Sequence, residues 1–205
     1  MDQKRLEKLV DLMATYGLAG TAFNPGPTLT YLTGMRFHLM ERPTVLLLSQ
    51  TGSAAMVLPG LEQGKLPSES EVFRAFTYGD DPATWPLAFE QAGAWLGLRV
   101  GEIGVVPTRL RFLELQYLQS AMPEVEFVDG SLVAAGLRMQ KDPEEIENMR
   151  KAARIAQDAM RATLQNLREG MTEKEIANQL IIHLLEAGSD PELPFAPIVA
   201  IGENS

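Results

Sequence analysis

The 205-residue chain contains no cysteine. That excludes disulfides, thiolate zinc sites and cysteine nucleophiles together, and it fits a reducing compartment. Histidine is nearly as scarce. His38 and His183 are the only two, far apart in sequence, so there is no His-x-x-x-His metal pair. Basic residues are outnumbered: 18 against 27 acidic ones leave a net charge of -9. This is the wrong sign for a nucleic-acid partner, and the dispersed acids read as a solvated surface. Long apolar runs are missing as well. Near the front the longest is Val45-Leu46-Leu47-Leu48, whereas a bilayer span needs about 20 residues. The N-terminus, Met1-Asp2-Gln3-Lys4-Arg5, leads into mixed charge and apolar residues and not a signal core. The chain is expected to be cytoplasmic, with no membrane and no nucleic acid among its partners. Neither a Gly-x-Ser-x-Gly elbow nor a phosphate-binding glycine loop occurs.

What the chain does contain is alternation. Leu6, Leu9, Val10, Leu12 and Met13 recur at helical spacing, predicting a helix from Asp2 to Tyr16, stopped at Gly17. Thr21-Ala22-Phe23 reads as a short strand, ended by the turn chemistry of Asn24-Pro25-Gly26-Pro27. Thr44 to Ser49 and Ala54 to Leu58 read as a hairpin turned at Thr51-Gly52. A strand is expected over Val72 to Tyr78. Asp81-Pro82 caps a helix running to about Leu96. Gly101 to Val106 reads as a strand, Pro107 opens a helix to about Ala121, and Glu124 to Val128 closes the unit. The expected fold class is α/β, a mixed sheet flanked by helices. It is drawn as a domain over residues 1–134, with a linker over 135–142; Ser131 to Gln140 reads as a short connecting helix.

The remainder, residues 143–205, changes character. Asp142-Pro143-Glu144-Glu145 supplies a cap, a first-position proline and a capping-box acid. Ile146, Met149, Ala153, Ala156, Met160, Thr163 and Leu167 step by three and four, predicting one amphipathic helix from Pro143 to Arg168, roughly 39 Å long. Thr172 to Glu175 is a second capping box, opening a helix to about Ala187. Leu193 to Ile201 reads as an apolar strand that would need partners on both sides. The chain is therefore expected to be the front part of a longer protein.

No complete active site can be assembled from these residues alone. Asp80-Asp81 read as capping residues, and Glu144, Glu145 and Glu147 suit the first turns of a helix. His183, among Ile176, Leu180, Leu184 and Ala187, reads as a packed, hydrogen-bonded histidine. The loop around His38 is the better candidate. It gathers Arg36, His38, Glu41 and Arg42, and loops carry function more often than strands do. An ion-paired structural loop is the alternative.

The run Arg138-Met139-Gln140-Lys141-Asp142-Pro143-Glu144-Glu145-Ile146 through Ala153 resembles the domain junction of the Xaa-Pro peptidases, the prolidase and aminopeptidase P family with creatinase as a relative. Gly170 to Ala177 is similar to the start of that family's second catalytic-domain helix, and Phe195 to Ser205 to its first catalytic-domain strand. Tyr31-Leu32-Thr33-Gly34 resembles its N-terminal domain.

The resemblance implies a creatinase-like N-terminal domain followed by the start of a pita-bread catalytic domain. It implies two divalent metal ions (Mn, Co or Zn) in the full-length protein, held by two Asp, one His and two Glu. All of these would lie beyond Ser205, so no metal ligand and no catalytic residue falls in this chain, which alone is expected to be inactive. It further implies homodimers acting on proline-containing dipeptides or short peptides. His38, Arg36 and Arg42 become candidate substrate-binding residues, within one subunit or across the dimer. Two other readings stand beside this one: a non-catalytic dimerisation or peptide-binding module, and a creatinase-like C–N hydrolase that uses no metal.

Overall fold

The structure, a computed structural model, describes residues 2–205. They form two compact units, one ending at Gln140 and one spanning Lys141–Ser205.

The first unit is built on six strands: β1 (Gly20–Phe23), β2 (Val45–Ser49), β3 (Ala54–Pro59), β4 (Phe73–Tyr78), β5 (Gly101–Val105) and β6 (Val125–Asp129). Their order in the sheet is β4-β3-β2-β1-β5-β6. β2 runs antiparallel to both β1 and β3, and the other neighbouring pairs are parallel. β1, β2 and β3 are buried along their whole length. This is why Val45 to Leu48 reads as a continuous apolar run and not an alternating one.

Helices cover both faces. On one lie α1 (Gln3–Thr15), α2 (Pro27–Thr33) and α5 (Ser131–Met139), packing Leu9, Met13, Leu29, Leu32 and Leu137 against Leu46, Leu48 and Met56. On the other lie α3 (Trp85–Leu96) and α4 (Phe112–Ala121), packing Phe89, Ala92 and Leu118 against Leu47, Val57 and Ile103. The expected mixed sheet flanked by helices is therefore present.

Two details differ from expectation. α4 opens at Phe112, not at Pro107, because residues 106–111 are used in a turn. The N–H groups of Arg109 and Leu110 both donate to the Val106 carbonyl, each at 2.9 Å. The segment 135–139 falls in the stretch drawn as linker but is the second half of α5, the short connecting helix expected over Ser131 to Gln140. Leu137 is fully buried there, and Lys8 Nζ donates to its carbonyl at 2.9 Å.

One close approach demands glycine. A Cβ at Gly130, just before α5, would lie 2.8 Å from Gly104 Cα. A Cβ at Gly104 would lie 2.6 Å from Leu18 Cδ1. Backbone meets backbone here, with a hydrogen bond of 2.7 Å from Gly130 N–H to the Val105 carbonyl.

The second unit contains α6 (Pro143–Gln165) and α7 (Glu173–Glu186), each with its capping box formed. α6 ends three residues short of Arg168. The expected strand over residues 193–201 is not formed. With no neighbouring strand in this unit, its backbone cannot enter a ladder. Instead Ile201 N–H donates to Glu173 Oε1 at 2.8 Å, and Phe195 and Ile198 lie exposed.

Candidate functional site

Residues 34–44 cross from the end of α2 to the start of β2. The loop is clamped at three points by parts of the chain far away in sequence. Buried Tyr78, at the end of β4, donates its hydroxyl to the Pro43 carbonyl. Arg111, at the N-terminus of α4, donates from Nη1 to the Met40 carbonyl at 2.6 Å. Arg42 pairs with Asp80 at 2.8 Å.

The Arg111 clamp has its own support. Its guanidinium forks onto Glu114, Nε reaching Oε1 at 2.8 Å and Nη2 the same oxygen. The Glu114 carboxylate is fully buried and also accepts the Arg111 backbone N–H at 3.1 Å. A buried carboxylate is tolerated when a bidentate guanidinium and a backbone donor satisfy it. One buried pair thus positions the loop's midpoint.

Tyr78 is held as a neutral phenol. Burial raises its pKa well above the ordinary tyrosine value, an effect the Arg42 guanidinium partly opposes. A neutral hydroxyl is what the bond to Pro43 requires. The Tyr78 ring also packs on Trp85, centroids 5.1 Å apart, and Trp85 Nε1 donates to the Gly79 carbonyl at 3.0 Å.

The loop edges a cavity of about 250 Å³. His38, Glu41 and Arg42 line it together with Leu61 and Glu62 from the segment after β3. His38 is exposed and Arg42 half-buried. The structure therefore brings His38 and Arg42 to one concave surface. Arg36 is exposed on the same loop but is not among the residues lining that surface. Lys65 sits 5.5 Å from the centroid of the Phe37 ring and pairs with Glu62 at 2.6 Å, tying the far wall to the loop.

Chemically, this surface can bind and orient a small polar ligand by charge and hydrogen bonding. It does not provide a metal centre. Among the described residues no group of three or more His, Asp or Glu could hold a metal ion. Among them, too, no helix is long and apolar enough to cross a membrane.

Sequence reasoning found the loop but missed what holds it. Glu62, Arg111 and Tyr78 come from three other segments. Only Arg111 left a trace in the sequence, an acid three residues later at the start of a helix.

Residues 5–140 match the family model of the Creatinase/Prolidase N-terminal domain. Residues 147–205 match that of metallopeptidase family M24. The chain is 30% identical to the probable dipeptidase PepE of Mycobacterium tuberculosis (strain H37Rv), covering 90% of this chain and 48% of that protein. It is 26% identical to the Xaa-Pro dipeptidase of Lactobacillus helveticus, covering 87% of this chain and 48% of that one. Among solved structures, the dipeptidase of Pyrococcus horikoshii OT3 superposes with a TM-score of 0.79 at 30% identity, over 89% of this chain and 49% of that one. The chain spans about half the length of the curated relatives it matches.

Proposed function

The chain belongs to the creatinase/prolidase N-terminal domain family, and on that premise we propose that it is the front portion of a metal-dependent peptidase that hydrolyses the bond before proline. The observation that carries this reading is the order of two matches on one chain. The N-terminal domain is followed directly by residues matching metallopeptidase family M24. The Lactobacillus helveticus relative, an Xaa-Pro dipeptidase, supports proline-containing dipeptides as the substrate class.

In this reading the first unit is a substrate-positioning domain. The rigid loop over residues 34–44 presents His38 and Arg42 to a peptide's terminal carboxylate, across a homodimer. A protonated imidazole and a guanidinium are both suited to that anion. Arg36 adds positive charge from the rim. In the same reading the divalent metals are held by residues of the parent protein outside these 205. A cytoplasmic setting belongs to the same proposal.

The test is a hydrolysis assay with the full-length parent protein and added manganese, comparing Leu-Pro, Ala-Pro and Leu-Ala. Turnover of the two prolyl dipeptides is expected, with little of Leu-Ala and none by the 205-residue chain alone. Equal turnover of Leu-Ala, or metal-dependent turnover by the short chain, would overturn the reading.

A further inference from the structure

β1 and β5 lie side by side and parallel, ending at Phe23 and Val105. From there the chain departs in opposite directions. β1 leads to α2 on one face of the sheet, and β5 leads to α4 on the other. Where connections diverge at the carboxyl ends of parallel strands, they leave a crevice, and in open α/β sheets that crevice is where ligands bind.

Here the crevice is a cavity of about 170 Å³. Phe23, Val106 and Ala134 give it apolar walls, and Arg109 and Arg138 give it charge. Among the described residues no aspartate or glutamate lines it. That is notable in a chain with 27 acidic residues and a net charge of -9. The Arg109 guanidinium makes no ion pair among the described residues. Its backbone is nevertheless fixed. Buried Asn24 donates from Nδ2 to the Arg109 carbonyl at 2.7 Å, and the tight turn onto Val106 O holds the N–H.

We propose that this cavity binds a small organic carboxylate, with its oxygens at Arg109 and its short apolar part against Phe23, Val106 and Ala134. Size limits the ligand. Sites for drug-sized molecules run from about 300 to 1,000 Å³, so this cavity admits only a few heavy atoms. Charge selects an anion, and the planar guanidinium fork matches a carboxylate in particular. The apolar walls favour a short hydrocarbon group over a purely inorganic ion. The site is distinct from the loop cavity beside His38 and does not depend on the peptidase reading.

Isobutyrate, acetate and inorganic phosphate are titrated separately into the ¹⁵N-labelled 205-residue chain at low ionic strength, following backbone amides. Isobutyrate should produce saturable shifts confined to residues 22–28, 106–110 and 134–138, weakening as sodium chloride is added. Arg109→Gln, an exposed position, should weaken binding about tenfold or more. Ala135→Glu, which places a carboxylate at the cavity's edge on α5, should abolish it. Arg99→Gln, outside the cavity, should leave it unchanged. Shifts that do not saturate overturn the proposal. So does an Arg109→Gln protein that binds like the parent, or phosphate saturating the same amides more tightly than isobutyrate.

Discussion

His183 Nδ1 stands 2.9 Å from the Thr163 hydroxyl oxygen, and that hydroxyl already donates its one proton to the Ala159 carbonyl at 2.8 Å. The oxygen can therefore only accept from the ring, which puts the imidazole proton on Nδ1. Nε2 then carries the lone pair, and the Asn166 amide stands 3.4 Å away as its donor. The histidine ties α7 to the nearly buried Thr163 of α6. The Nδ1–H tautomer should appear in the long-range ¹⁵N–¹H correlation pattern of the neutral ring. His183→Ala should lower stability by about 1–2 kcal/mol. A spectrum showing the proton on Nε2 would refute the assignment.

Arg111→Ala should be costly well beyond the loss of one surface charge. It strands the buried Glu114 carboxylate and releases the Met40 carbonyl together. A loss of about 3 kcal/mol is expected in urea denaturation, as for other broken buried pairs. The double variant Arg111→Met with Glu114→Leu should recover most of it. If the single and double variants melt alike, the buried charge is not the cause.

Tyr78 sets an alkaline limit on the first unit. Its folded-state pKa is raised above the ordinary value, so its stabilising contribution is complete below about pH 10 and lost as pH rises through the folded value. Tyr78→Phe should cost about 1 kcal/mol at neutral pH, from the lost bond to Pro43. Above pH 10 the gap should close and then change sign, because the tyrosine of the unfolded chain ionises and the phenylalanine does not. A gap that stays constant to the highest accessible pH would contradict the assigned role.

His38 is the substrate-side prediction, and it needs the full-length protein. His38→Ala should leave metal content unchanged and stability within about 1 kcal/mol, because the side chain is exposed. It should lower kcat/KM for prolyl dipeptides by about tenfold. Unchanged kinetics with a lowered Tm would make the residue structural.

A chain ending at Gln140 should melt cooperatively, whereas one ending at Ala134 should be weaker by about 2–4 kcal/mol. The shorter chain discards Leu137, which is fully buried against α1 and the sheet. Equal stability of the two would place the edge of the first unit earlier.

The sheet was legible because its apolar runs and turns are local signals. Thr51-Gly52 turns the hairpin of β2 and β3, and Asp142 and Thr172 cap their helices as their spacing announces. What could not be read depends on distance in sequence. Glu114 looks like a solvated helix acid, yet it is fully buried because Arg111 folds onto it. The loop carrying His38 was recognisable as polar. Its clamps were not, since Tyr78 lies 35 residues from Pro43 and Arg111 lies 71 from Met40. The apolar run after Leu193 shows the opposite failure. Its composition suits a strand, but a ladder takes two chains' worth of donors and acceptors, and here the Ile201 N–H meets the Glu173 carboxylate in place of a neighbouring strand.

The contact between Gly104 and Gly130 acts as a gauge. It lies two residues before Val106 and four before Ala134, both of which wall the cavity at the ends of β1 and β5. The spacing of those walls is therefore set by bare backbone, at the shortest distance two chains can keep. An alanine at Gly130 would press on the backbone of Gly104 and must wedge β5 and the start of α5 apart. The width of that cavity can thus drift through a residue that is not part of its wall.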